Sequence, residues 1–499
     1  MTATSSVPTV RATPREWAAL GVLTLAVVLL AIDGTVLALA VPSLTADLGP
    51  SATQLLWIGD VYSFALAGLL VTMGNVADRI GRKRLLLIGS VAFGLASAGA
   101  AFAQSPEVLI AARALLGVAG ATLMPSTLSL VRTIFRDARQ RTTAIAVWSA
   151  GATGGAAAGP LVGGALLEHF WWGSVFLINL PVIVVIVVAG AVLLPESRGS
   201  ARNPIDLLSA ALSVLAIVPL VYAVKHLAGH GLDWTVGAGV VVGVLAGWWF
   251  VRRQRRLVTP LIDLQLFRIP AFSGAVVANS LSVFAFSGLL FFFSQYLQLV
   301  RGFTPLLAGA AELPATLASI AVIAVVGLLA RRVGPGRSIG LGLAVAALGM
   351  AGLAFAEGLP TYVGIALALA VVGLGVGVSM TLATDAVVAS APRERAGAAS
   401  AISETGYELG VALGIAVLGS LQTAFYRGAL DPDAPSAVRE SLASAAQALD
   451  PASPLLVHAR EAFTGGMQLA SVCAAVMLAV AAVIALRVIP NRQDGPHEH

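Results

Sequence analysis

Charged side chains are scarce in this sequence: Asp, Glu, Lys and Arg together make 11% of its 499 residues, where ordinary soluble proteins carry about 25%. That scarcity, with 58% hydrophobic residues and a mean hydropathy of +0.90, excludes a water-soluble globular protein and leaves a polytopic membrane protein. Cysteine is nearly absent. The one thiol, Cys473, lies in an apolar run, which excludes a disulfide framework and a cysteine-based metal site, and neither cofactor nor metal is expected. No nucleotide-binding loop, His-Glu-x-x-His zinc motif or Gly-x-Ser-x-Gly nucleophile elbow occurs, which argues against an enzyme. Basic residues outnumber acidic ones, 30 to 25. They are scattered through short segments between apolar runs, so membrane orientation accounts for them and nucleic acid is not an expected partner.

Apolar runs are abundant, and a helix needs about 20 such residues to cross a bilayer. Fourteen runs can be placed, near 17–41, 54–75, 85–104, 107–130, 142–166, 174–194, 206–225, 233–251, 271–298, 305–330, 338–356, 361–387, 396–421 and 467–488. Arg11 and Arg15 precede the first, and Ala38-Leu39-Ala40 resembles a cleavage site. The run is too long for a signal peptide and contains Asp33, so it is expected to stay as a helix. With the N-terminus in the cytoplasm, the cytoplasmic segments hold 24 of the 30 Lys and Arg; Lys225, Arg301, Arg427, Arg439 and Arg460 fall outside, and Arg113 lies in the fourth run. Both termini are therefore expected to be cytoplasmic. The longest outside segment, 426–466, shows helical spacing over 436–449 and 454–463, which predicts a short hairpin over the outer mouth. The tail His497–His499 reads as an exposed polar terminus.

Acids inside the runs are the candidate site. An ionised carboxylate at mid-membrane costs roughly 2.5 to 3.5 kcal/mol, so one that is retained marks a proton or cation site by default. Glu404 and Glu408 lie one helical turn apart in the thirteenth run, Asp33 is near the middle of the first, Asp60 is in the second and Glu312 in the tenth. Arg113 stays charged at any physiological pH and can hold a nearby carboxylate ionised. A plain structural counter-ion role remains open for it.

An internal repeat stands at an offset of 253 residues: Gly74, Ala77, Arg79, Gly81 and Arg84 recur as Gly327, Ala330, Arg332, Gly334 and Arg337. The copies join runs two to three and ten to eleven, so the halves are runs 1–6 and 9–14 with runs 7 and 8 inserted. The expected division is a cytoplasmic N-terminus 1–16, a six-helix bundle 17–197, an insert 198–256, a second six-helix bundle 257–488 carrying the outer segment 426–466, and a cytoplasmic tail 489–499.

The segment Gly74–Arg84, with Asp78, Arg79, Gly81 and Arg82, resembles the loop between helices two and three of the major facilitator superfamily, where it acts as a conformational latch. Asp78 is expected to face the Arg cluster Arg132–Arg141. Gly155, Gly159, Pro160, Gly163 and Gly164 on the fifth run resemble that superfamily's antiporter motif, whose glycines make a smooth helix face. The stretch Ile32–Pro42 is similar to the signature of the fourteen-helix drug:proton antiporters, although Ala38 and Val41 depart from it. Arg113 with Gly117 is like the family's basic-residue motif, with Leu116 in place of a frequent Gln.

Within that family, Trp57–Ser63, Met124–Thr127 and Ser403–Gly410 resemble the QacA-type exporters of quaternary ammonium compounds and methyl viologen. The resemblance implies an all-α protein of two six-helix bundles plus two inserted helices, and proton-coupled multidrug efflux across the cytoplasmic membrane. A dedicated exporter of one endogenous metabolite or antibiotic is the alternative. Asp33, Glu404 and Arg113 are implied in proton coupling, and Asp60, Glu312 and Glu408 in substrate binding. Trp57, Tyr62, Trp148, Phe286, Phe292 and Tyr407 are candidates for cation–π contact. The implied partners are cationic or lipophilic drugs, protons and the lipid bilayer, with the protein a monomer.

The Lys and Arg asymmetry yields a labelling prediction. In a Cys473→Ser background, Ser441→Cys is expected to react with an impermeant thiol reagent added outside intact cells, and Ser200→Cys is expected to stay unreactive. The opposite pattern would invert the topology, and equal labelling from one side would rule out fourteen crossings.

Overall fold

Inside a bilayer the backbone has no water to bond, so each apolar run closes its own hydrogen-bond ladder as a helix. The computed structural model describes residues 12–198, 206–258, 260–392 and 395–491. Arg11, Ser200, Arg393 and the tail His497–His499, all discussed above, lie outside the described residues. The helices are α1 Pro14–Leu48, α2 Ala52–Ile80, α3 Arg82–Ala101, α4 Pro106–Ile134, α5 Ala138–His169, α6 Ser174–Leu177, α7 Asn179–Leu193, α8 Leu207–His230, α9 Trp234–Gln254, α10 Pro270–Gln295, α11 Pro305–Ala311, α12 Leu313–Val333, α13 Pro335–Ala356, α14 Tyr362–Ser390, α15 Ala396–Ala429, α16 Ser436–Glu440, α17 Leu442–Ala448 and α18 Pro454–Val488. They supply 14 spans long and apolar enough to cross a membrane. α6 and α7 share one span, a π-helical turn Tyr296–Val300 extends α10, and α11 leads into α12.

Starts and stops follow local chemistry. Thr13 with Glu16, and Ser51 with Gln54, form capping boxes at the starts of α1 and α2. The repeated loops share a shape: Gly81 and Gly334 take φ of +115° and +93°, a region that L side chains avoid. Each loop also holds the chain that leaves its own set of helices. Arg82 N donates to Ser197 O at 2.8 Å after α7, and Arg337 N donates to Asn491 Oδ1 at 2.8 Å after α18.

Three expectations need correction. Asp78 does not face the Arg132–Arg141 cluster; it bonds Arg82 at 2.9 Å, because the i,i+4 spacing across the Gly81 turn brings that guanidinium closest. Arg82 in turn reaches Thr133 of α4 at 3.2 Å. Lys225 is not in an outer loop, because α8 continues to His230 and buries it to 1% exposure. The outer hairpin also differs: 436–449 breaks at Ser441 into α16 and α17, whereas 454–463 is the beginning of α18. α15 and α18 lie together beyond the apolar run, with Gly465 and Gly466 closed against Phe425 and Gln422, so nothing stops the helix there. The short helices fold back over the outer end through Tyr426 Oη to Val438 O at 2.7 Å and Arg427 to Glu440 at 3.3 Å.

The glycines of α5 set how close its neighbours come. A Cβ at Gly155, Gly159 or Gly163 would run into Val28, Thr35 or Val36 of α1, and one at Gly164 into Leu306 of α11. Pro160 belongs to the same contact, since its carbonyl abuts Gly309 of α11. Gly159→Val is therefore expected to destabilise by about 1–3 kcal/mol, as overpacking does. Melting in detergent checks this, with Gly154→Ala as a control that meets nothing within 4 Å and is expected to melt like the parent.

Candidate functional site

The first helix carries its acid at mid-length, and three other helices converge on it. Asp33 is 1% exposed. Arg113 of α4 reaches its Oδ2 at 3.2 Å, and Asn179, where α6 gives way to α7, donates to its Oδ1 at 2.9 Å. Asn179 is also 2.9 Å from Ser97 Oγ of α3. The guanidinium has further anchors, with Nε donating to Ile58 O at 3.2 Å and Cζ 4.7 Å from the centroid of the Tyr62 ring. A buried arginine so held is a fixed positive charge, and Asp33 is its counter-ion.

Tyr62 links this network to the other side of the molecule. It stands within electrostatic reach of Asp33 and Arg113 and also of Glu408 and Tyr407 on α15. Small residues explain the face that α15 turns: Gly406, Gly410 and Gly414 close on Ser280 and Phe284 of α10. Glu404 and Glu408, on the opposite side of that helix, therefore point toward α2. Ser63 of α2 meets Glu408. Glu404, Tyr407 and Glu408 are partly exposed. Tyr62 of α2 thus stands between the Asp33–Arg113 pair of α1 and α4 and the Tyr407–Glu408 stretch of α15, with Glu404 one turn further along.

Other candidates lie outside that network, although Asp60 is still within electrostatic reach of Arg113. Asp60 and Trp57, on a different face of α2, turn to α8, where Lys225 bonds the carboxylate at 2.7 Å. Glu312 sits at the break between α11 and α12, 5% exposed, with Oε1 lacking a hydrogen-bond partner. Trp148 is half-buried with its indole N–H unpartnered, and Phe286 is half-buried against the core. Phe292 packs on Phe291 with ring centroids 5.1 Å apart and closes on Gly419 and Leu56, in the seam between α2 and α15 at the outer end.

That outer end is where the first seven helices meet α10–α18. Ala52 N donates to Glu440 Oε1 at 2.6 Å, Gln298 to Leu39 O at 3.0 Å, and Thr304 approaches Glu168 at 3.4 Å. Toward the other end, α5 over 142–154 and α12 over 317–332 are largely exposed.

Residues 23–415 match the sequence profile of the Major Facilitator Superfamily. The chain belongs to the Major Facilitator Superfamily. It is 47% identical over 488 residues to the multidrug efflux pump LfrA of Mycolicibacterium smegmatis, covering 95% of this chain and 97% of that one. The methyl viologen resistance protein SmvA of Salmonella typhimurium is 40% identical over 409 residues, 82% of each chain. The tetracenomycin C resistance and export protein of Streptomyces glaucescens is 33% identical over 410 residues, 82% of this chain and 76% of that one. In fold, the chain is similar to a bacterial homologue of the lysosomal transporter Spinster in an inward-facing, unoccupied conformation, with a TM-score of 0.69, 17% identity, and coverage of 96% and 98%. This facilitator is a multi-pass membrane transporter whose relatives are drug-efflux proteins, and not an enzyme.

Sequence reasoning missed three interior groups of this facilitator. Asn179 was one amide in a long apolar run, and its polarity was the available signal. Lys225 had been placed in a loop because it stood at the end of its run. Glu357, 2% exposed and bonded by Ser471 at 3.1 Å, lies just past the last residue of α13, outside the apolar runs in which acids were sought.

Removing one partner of a buried pair leaves a charge without compensation, at a cost of about 3–5 kcal/mol. Arg113→Met is therefore expected to lower the melting stability markedly, with Arg113→Met/Asp33→Asn recovering much of the loss. A double variant no better than the single would dissolve the pairing argument.

Proposed function

We propose that this facilitator is a proton-coupled efflux antiporter, exporting lipophilic organic cations across the cytoplasmic membrane by alternating access, as a monomer. The observation that carries the reading is the pair of partly exposed carboxylates, Glu404 and Glu408, turned toward Tyr62 and the Asp33–Arg113 network. A proton and an organic cation each neutralise a desolvated carboxylate, so either excludes the other from it, and antiport needs only that exclusion. Inward proton movement supplies about 1.4 kcal/mol per pH unit and about 2.3 kcal/mol per charge per 100 mV.

Roles follow from placement. Asp33 shares Arg113 with no exposed surface of its own, which suits a group that exchanges a proton and hands a change in charge to α4 and α6–α7. Glu404 joins it in coupling, and Glu408, beside Ser63, Tyr62 and Tyr407, recognises the cation. Trp148 and Phe286 are half-buried aromatic surfaces suited to the same ligand. Glu312, alone at a helix break, is the remaining acid for a second positive charge. The contacts at the outer end and the exposed faces of α5 and α12 at the other suit a state open to the cytoplasm. The turn Gly74–Arg84 then works as a latch, and the α1–α5 glycine contact as the surface on which the helices slide. The two bundles are 17–197 and 257–488, with α8 and α9 inserted between them.

The multidrug reading is supported by the similarity to the multidrug efflux pump LfrA, and a cationic substrate by the similarity to the methyl viologen resistance protein SmvA, since methyl viologen is a dication. Proton-gradient-driven uptake into inverted vesicles, scored over a panel of dyes and quaternary ammonium compounds, tests it. Transport of a single compound would point instead to a dedicated exporter, and no gradient dependence would end the antiport proposal. Asp33→Asn is expected to abolish gradient-driven transport while the protein still inserts. Glu408→Gln is expected to spare a monovalent dye and reduce transport of a dication about tenfold or more, because two charges at low dielectric need two carboxylates. Identical profiles for both variants would refute this division of roles.

A further inference from the structure

The inserted helix α8 sends one charged side chain into the interior. Lys225 Nζ stands 2.8 Å and 2.7 Å from the two carboxylate oxygens of Asp60. It also lies 3.6 Å from the ring centroid of Trp57 and 6.0 Å from that of Phe64. Both side chains of the ion pair are 0% exposed. Trp57 and Phe64, which face the ammonium, belong to one apolar cluster with Ile217 and Val221 of α8 and Ala412, Leu413 and Ala416 of α15, so the pair lies beside the meeting of α2, α8 and α15. A carboxylate flanked by aromatic faces is the arrangement that recognises an organic ammonium ion. Here the ammonium is the protein's own.

We propose that Asp60, Trp57 and Phe64 form an alkylammonium site whose resident ligand is the Lys225 side chain. The tethered cation fastens the inserted hairpin to α2 and keeps Asp60 away from exported compounds. A primary ammonium has three donors and no acceptor; one bonds Oδ1, the second carboxylate oxygen is close enough to ion-pair although it has no hydrogen bond of its own, and the aromatic face lies beside the charge. Because Lys225 is held in place by its own helix, a free cation would have to displace a group at very high effective concentration. Asp60 is then a docking residue, although its position in the sequence suggested substrate recognition. The inference does not depend on the exported compound being a cation, since both members of the pair belong to this chain.

The test uses purified full-length protein in detergent and compares melting midpoints in propylammonium chloride and in sodium chloride of equal ionic strength. Lys225→Ala strands Asp60 beside an empty channel, and its midpoint is expected to fall by about 5 °C or more. Propylammonium, a fragment of the lost side chain, is expected to restore a large part of that shift, and sodium none. Asp60→Asn/Lys225→Met removes both charges together. It is expected to melt near the parent, to ignore propylammonium and to keep gradient-driven export, whereas Asp60→Asn alone loses stability. Three results would overturn the proposal: Lys225→Ala melting like the parent, Lys225→Ala indifferent to propylammonium, or the double variant as impaired in export as Asp60→Asn. Should Lys225→Ala fail to fold, the double variant decides alone, its folding and export supporting the site and their loss refuting it.

Discussion

An ionised group inside a bundle of apolar helices has no water to hydrate it, and most of the interior chemistry of this transporter follows from how each such group is neutralised. Asp33 is matched by Arg113, and Asp60 by Lys225. Glu357 has the hydroxyl of Ser471 and the nearby guanidinium of Arg301, and Glu312 has an oxygen with no partner at all. Glu404 and Glu408 are left partly open. The acids therefore fall into distinct classes: two are paired with a fixed cation at contact distance, two are shut away with weaker compensation, and two keep some exposure.

The backbone is shaped around the same requirement. Span six breaks at Asn179, the residue that bonds Asp33, and span ten breaks at Glu312. Elsewhere the helices approach through glycine: α5 on α1 and α11, α15 on α10. Without hydrophobic driving force in lipid, such close contact supplies the attraction between helices, and a contact without long side chains can also slide. The repeated turns at Gly81 and Gly334 each bind the chain that leaves their own set of helices, through Ser197 and Asn491. Each set is thereby tied to itself, while three hydrogen bonds between the sets lie at the outer end and Ser63 meets Glu408 in mid-bundle.

The inserted helices contribute more than length. α9 turns broad apolar faces outward, whereas α8 delivers Lys225 to α2 and packs on α15. A helix that touches both sets but pairs its charge with only one has a built-in preference for the partner it accompanies.

Hydropathy alone determined the number and approximate places of the spans, because a bilayer demands a particular length of apolar residues whatever lies beside them; where α8 and α18 overrun their apolar stretches was decided by packing. The repeat at 253 residues and the superfamily motifs were equally visible, since both are patterns along the chain. The central acids Asp33, Glu404 and Glu408 could be named for the same reason: an acid in an apolar run is conspicuous. Partnership was not legible. Whether Asp60 meets a substrate or Lys225 depends on which face of α2 turns to α8, and those residues are 165 positions apart. Asp78 binding Arg82 in preference to the α4 cluster, and Phe292 lying in the outer seam, were likewise decided by rotation and packing of whole helices. Helix–helix contact is set by side-chain shape in three dimensions, and the one-dimensional pattern records only that each helix has something to bury.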